Sequence, residues 1–144
     1  MPLVKVWIHF VWTTKNREPW LVKDRRIQVF EHIRKNAASK DIHVDHIGGY
    51  VEHVHCLISL SPTQSLQEIM QLLKGESSYW INREKLFGTK FGWQDEYFAA
   101  SVSEALVPNA RKYIANQETH HQKTSFDQEF RMFIKKAGFE KFEG

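Results

Sequence analysis

Apolar and polar residues alternate from Leu3 to Thr13, with Val4, Val6, Ile8, Phe10 and Trp12 on one side, the period-two pattern of a strand. Asn16-Arg17-Glu18-Pro19 is loop chemistry. From Asp24, a candidate N-cap, the residues Ile27, Phe30, Ile33 and Ala37 recur at helical spacing and predict a helix to about Ser39. Two strands follow over Ile42–Tyr50 and Val51–Ser61, with Gly48-Gly49 as a turn or bulge between them. Pro62 ends the third strand, and Ser65 with Glu68 forms a capping box for a helix that carries Leu66, Ile69, Met70, Leu73 and Trp80 inward. Residues 82–92 read as a loop and Trp93–Ser103 as a fourth strand. Pro108 is suited to the first position of a last main helix running to about His121.

The order β-α-β-β-α-β predicts an α+β fold, a ferredoxin-like or RRM-like antiparallel sheet with an additional C-terminal helix that carries Tyr113. Such a sheet packs its helices on one face and leaves the other for a ligand or another helix. Residues 1–121 form the domain. Residues 122–144 are a charged tail with a weak apolar pattern (Phe126, Phe130, Phe133, Ile134, Phe139), expected to make a short accessory helix on the body or on a partner subunit.

Composition narrows the classes. A chain of 144 residues is one domain with at most a short appendage. No apolar run reaches the ~18–20 residues of a membrane helix. The stretch Leu3–Trp12 is interrupted by Lys5 and His9 and lacks a small-residue cleavage site, so no signal peptide is expected. The single cysteine, Cys56, excludes an internal disulfide framework and cysteine-rich zinc modules, and an intracellular, cytoplasmic protein is expected. Net charge is +3, a bias that permits nucleic acid without requiring it. Its distribution is more informative: residues 1–40 hold nine Lys/Arg against three acids, an excess of six. Lys15, Arg17, Lys23, Arg25 and Arg26 could neutralise a row of phosphates, or simply form a solvated helix face.

The most informative stretch is Glu52-His53-Val54-His55-Cys56-Leu57-Ile58. On a strand His53 and His55 share one face, while Val54, Cys56, Ile58 and Leu60 face the core. Two imidazoles so placed can hold one divalent metal, or can be a surface pair with no ligand, since two ligands make too few for a tight site. In the last helix Tyr113 and Gln117 are four residues apart and share a face, which Asn116 and His120 extend, opposite an apolar stripe of Leu106, Ala110 and Ile114. A polar helix face of this kind suits a position against a His-x-His strand face.

These residues resemble the HUH single-tyrosine transposases, small enzymes of insertion sequences that move as single-stranded DNA. His53-Val54-His55 matches the pair of histidines around one hydrophobic residue, and Tyr113-Ile114-Ala115-Asn116-Gln117 matches the tyrosine helix. Trp12–Pro19, Lys74-Gly75, Trp93-Gln94 through Phe98, and Ser101-Val102-Ser103 are also similar, so the resemblance spans nearly the whole chain in order. Glu52 departs from it, standing where the family more often has Asp or Asn, and its role stays unassigned.

The resemblance implies a metal-dependent endonuclease and strand transferase. Tyr113 would be the nucleophile, forming a 5′-phosphotyrosine link with a free 3′-OH, so rejoining needs no ATP. His53 and His55, with Gln117 as a neutral oxygen donor, would hold Mg²⁺ or Mn²⁺ beside the phosphate. Lys15, Arg17 and Lys74 would contact the DNA. The partner implied is single-stranded DNA with hairpin ends, and the assembly a homodimer whose active sites are shared between subunits. A domesticated relative or a replication-initiator-like nickase would keep this chemistry. A non-catalytic RRM-like nucleic-acid-binding module would need exposed aromatics on the central strands, where Val51, His53, His55 and Leu57 stand instead.

The remaining candidates read as structural. Tyr50 lies beside the Gly-Gly pair, and Tyr79 lies on a helix expected to pack on the core. Tyr97 is the third tyrosine that could be proposed as the nucleophile. His120-His121 are expected to complement a helix C-terminus, and Cys56 to face the core. Of the tryptophans, Trp20 in its loop is the one expected to be exposed for stacking on bases.

Overall fold

In the computed structural model, which describes residues 3–138, strands β1 (Val6–Thr13), β2 (His43–Gly49), β3 (His53–Leu60) and β4 (Phe98–Val102) form one antiparallel sheet in the order β2-β3-β1-β4. With α1 (Lys23–Ser39) between β1 and β2, and α2 (Leu66–Arg83) between β3 and β4, this is the expected ferredoxin-like arrangement. Alternation on the strands sorts the side chains. Ile8, Phe10 and Trp12 of β1 join Val54, Cys56 and Ile58 of β3 in the main core under α1 and α2. Val6, expected on that same side, is 39% exposed at the start of the strand.

The inward face of α1 is turned slightly from the one expected. Val29, Ile33 and Ala37 are buried, but Ile27 faces solvent and Arg26 takes the inner position. The chain enters the helix from Val22, so Asp24 lies in the first turn and is not the cap. On α2 the Ser65 hydroxyl accepts from the Glu68 amide at 3.1 Å and satisfies one unpaired donor of the first turn. Trp80 is only half-buried and stacks on His32, with ring centroids 3.9 Å apart.

β4 is shorter than its apolar pattern suggested. Trp93 makes an isolated bridge to Thr14 and points its indole under α2, where Nε1 donates to Ser77 Oγ at 2.9 Å. The carbonyls of Gln94, Asp95 and Glu96 then accept from Lys74 Nζ (2.6, 2.9 and 3.4 Å), and the Gln94 amide donates to the Thr13 carbonyl at 2.9 Å before the segment leaves β1. The irregularity in β2 falls between Val44 and His46, not at Gly48-Gly49.

The second face of the sheet is not free. It carries α3 (Val107–Ala115), α4 (Gln117–His121) and α5 (Phe126–Lys136). The single helix expected over 108–121 breaks at Asn116, whose backbone (φ −99°, ψ 18°) leaves the helical region. Leu106 lies in a 3₁₀ turn (Glu104–Leu106) and is exposed, so Val107 takes its place with Trp7, Leu57 and Ile114 in a second apolar cluster. Gly48 lets α3 approach: a Cβ there would lie 2.4 Å from the Ile114 carbonyl oxygen. Asp45 fastens the same helix to β2, accepting from Arg111 Nε and Nη2 at 2.8 and 2.9 Å.

Helix α5 docks on the body of its own chain. A Ser125–Gln128 capping box starts α5. Phe126, Phe130 and Phe133 then pack on Val11 and Phe98, and each ring fully buried would contribute about 1.5–3 kcal/mol. Phe139, part of the same apolar pattern, lies outside the described residues.

Candidate active site

The site lies on this second sheet face. His53 and His55 point from β3 in the same direction and are completely buried, with ring centroids 5.0 Å apart. Each imidazole is oriented from behind. His53 Nδ1 donates to Glu52 Oε1 at 2.6 Å, which aims Nε2 into the site and gives Glu52 a role. His55 Nδ1 lies 2.8 Å from Nε2 of His9, a buried β1 residue on the same face as Trp7 and Val11, which leaves its own Nε2 facing inward.

α3 and α4 bring the other expected residues. Gln117, 1% exposed, places Oε1 3.0 Å from His53 Nε2. Tyr113 sits over His55, ring centroids 5.6 Å apart, within one and the same chain. At the centre stands a residue that no sequence pattern singles out, Glu129 of α5, which is 2% exposed. Its Oε1 lies 3.0 Å from His55 Nε2 and 3.4 Å from His53 Nε2. Its Oε2 accepts from the Tyr113 hydroxyl and, at 3.1 Å, from Gln117 Nε2. His120 and His121, expected only to complement a helix end, both turn their Nε2 toward this oxygen, at 3.3 and 3.2 Å. His121 also contacts Gln117 Oε1 at 3.0 Å.

Burial and hydrogen bonding set the charge states. Burial pushes His55 down to about 3 and His9 down to about 4, so both are neutral imidazoles at neutral pH. Burial also opposes charge on His53, but its hydrogen bonds to Glu129, Glu52 and Gln117 outweigh that and raise it. Glu129 loses hydration too, yet His121, His53 and His55 hold its carboxyl well below the usual range. Tyr113 is pushed up by burial and by the Glu129 carboxylate.

The donor set fits a divalent cation. Two imidazole nitrogens and an amide oxygen converge with a carboxylate oxygen, separated by 3.0–3.4 Å along the contacts His53–Gln117, His55–Glu129 and His53–Glu129. Ligands at 2.0–2.1 Å from an octahedral ion are about 3 Å from their neighbours. An opening of about 440 Å³ leads to Tyr113 and Glu129 between Ala100, Asn109 and Phe133.

The expected DNA-contacting residues lie around the 92–96 segment and away from the buried centre. Lys15 and Arg17 lie on the exposed loop after β1, where Arg17 pairs with Asp127 and its guanidinium covers the Phe126 ring. Lys74 is engaged by the 94–96 carbonyls. Arg26, one of the basic cluster, is buried in an ion pair with Glu118 at 2.7 Å. Trp20 is half-buried against Phe87 and Phe91 and is no exposed stacking platform. Tyr79, expected to be core-packed, is 64% exposed on the outer side of α2.

Residues 3–117 match the family model described as IS200-like transposase. The chain is 30% identical over 115 residues to the ISDra2 transposase TnpA of Deinococcus radiodurans, across 76% of this chain and 81% of that one. Its fold is similar to the crystal structure of a Deinococcus radiodurans R1 protein assigned as a transposase (TM-score 0.64, 23% identity, 81% of this chain and 93% of the other). It is also similar to a REP-associated tyrosine transposase bound to a REP hairpin (TM-score 0.60, 12% identity, 88% and 72%).

Proposed function

Because the chain belongs to the IS200-like transposase family, we propose that it cleaves and rejoins single-stranded DNA at hairpin-bearing ends through a 5′-phosphotyrosine on Tyr113. The observation that carries this reading is that His53, His55 and Gln117 meet at one buried point, with Tyr113 packed edge-on against His55. The Tyr113 oxygen attacks the phosphorus, the 3′-oxygen leaves as a hydroxyl, and the energy of the phosphodiester is kept in the new ester. His53, His55 and Gln117 would hold Mg²⁺ or Mn²⁺, which when bound withdraws charge from the non-bridging oxygens. Glu52 and His9 keep the two imidazoles turned toward that position. Lys15, Arg17 and Lys74 supply phosphate contacts, Lys74 also bonding the carbonyls of the 94–96 segment.

Tyr113 packs edge-on against His55 of its own chain, which favours a site completed in cis. The alternative is the homodimer with shared sites, supported by the short connection 104–106 ahead of α3 and by the edge strands β2 and β4. For the family activity, the test is incubation with a labelled single-stranded hairpin oligonucleotide in Mn²⁺ or Mg²⁺. A protein–DNA adduct that survives denaturation and is absent in chelator is expected. Binding without any adduct would leave a nucleic-acid-binding module.

A further inference from the structure

We propose that Glu129 is a metal ligand in this protein, so that α5, outside the matched residues 3–117, is part of the reaction centre. The inference rests on the metal reading of His53, His55 and Gln117 given above. Three observations carry it. First, the two oxygens of Glu129 are divided: Oε1 faces the Nε2 atoms of His55 and His53 at 3.0 and 3.4 Å, while Oε2 faces Tyr113, Gln117, His120 and His121. The oxygen on the histidine side therefore occupies a ligand position, and the other ties that position to the nucleophile.

Second, Glu129 fixes the amide of Gln117. Accepting from Gln117 Nε2 at 3.1 Å, it turns Oε1 of that amide toward His53. Third, α5 is built to present the carboxylate. Phe126 stacks on the His53 ring, centroids 4.3 Å apart, Phe133 packs edge-on against Tyr113, and Arg17 pairs with Asp127 at the start of the helix. A carboxylate, two imidazoles and an amide make a hard, anionic set suited to Mn²⁺ or Mg²⁺. Two imidazoles and an amide alone favour the softer Ni²⁺ or Zn²⁺.

The test is metal binding by the full-length protein without DNA. Mn²⁺ and Ni²⁺ titrations of wild type, Glu129→Gln, Glu129→Asp and His53→Ala are compared, with thermal unfolding as the control for folding. The expected result is a loss of Mn²⁺ affinity of at least about tenfold in Glu129→Gln and a smaller loss of Ni²⁺ affinity. If Glu129→Gln does not fold, weakened Mn²⁺ binding by Glu129→Asp, whose carboxylate is drawn back by one methylene, supports the assignment, and unchanged binding overturns it. Mn²⁺ affinity retained in Glu129→Gln, or an equal loss for both metals, would make α5 a cover and Glu129 no ligand. Wild-type protein that binds neither metal, or His53→Ala that binds like wild type, would instead refute the metal reading of the histidine pair.

Discussion

The Tyr113 hydroxyl donates to the carboxylate of Glu129, a residue on the following helix α5. The nucleophile of the proposed reaction is thus held, in this closed arrangement, by an anion that also contacts both histidines. Burial and that carboxylate raise the phenol above its ordinary pKa, so Tyr113 is fully protonated at neutral pH. Its reaction with a phosphodiester has to release the proton as the new bond forms.

The orienting groups behind the imidazoles set the first prediction. Glu52→Gln keeps the shape of the side chain but removes the charge that His53 Nδ1 faces at 2.6 Å. Cleavage at limiting Mn²⁺ should fall roughly 10–100-fold, with recovery at high metal concentration. Gln117→Ala should be milder than His53→Ala or His55→Ala, because a neutral amide oxygen is a weaker ligand than an imidazole. Metal titrations of cleavage rate measure all four.

The close approach of α3 to β2 gives the second. Gly48→Ala puts a methyl group against the Ile114 carbonyl, 2.4 Å away before relaxation. The helix must shift, at a cost of about 1–3 kcal/mol in denaturant unfolding. Because Tyr113 precedes Ile114 on that helix, cleavage should fall by more than DNA binding does.

Several parts of this site were legible in sequence for definite reasons. His53 and His55 follow from strand alternation, and Tyr113 from the polar face of its helix, which Gln117 joins from α4 across the break at Asn116. His9 was within reach of the same argument, since it alternates with the core residues Ile8 and Phe10. Glu129 was not, because a glutamate among Asp127, Gln128 and Arg131 reads as a solvated helix face. Only the long-range docking of Phe126 and Phe133 reverses that reading. Arg26 is a similar case: the slight turn of α1 puts it inside, where Leu21 and Glu118 satisfy its guanidinium, and leaves Ile27 in solvent.

A third prediction concerns acid stability. The Arg111 guanidinium, assisted by His46 and opposed by partial burial, holds the Asp45 carboxyl below its ordinary value. A carboxylate whose pKa is lower folded than unfolded contributes stability above the unfolded value, about 4, and loses it as pH falls through the folded one. Asp45→Asn should therefore melt at a lower temperature than wild type at pH 7. The two melting curves should converge as pH falls below about 4.

Mixing separates the two assemblies. Tyr113→Phe and His53→Ala proteins, each inactive alone and refolded together, should show no recovery of cleavage if each chain completes its own site. Partial recovery in demonstrated heterodimers would establish shared sites.

The measurement closest to the central claim is identification of the residue that carries DNA after cleavage. Wild-type protein is trapped with a single-stranded hairpin substrate in Mn²⁺, digested, and its nucleotide-bearing peptide is sequenced by mass spectrometry. The account predicts a nucleotide attached through its 5′-phosphate to Tyr113, and no adduct from Tyr113→Phe although that protein still binds the hairpin. An adduct on Tyr50, Tyr79 or Tyr97, or an undiminished adduct from Tyr113→Phe, would contradict it.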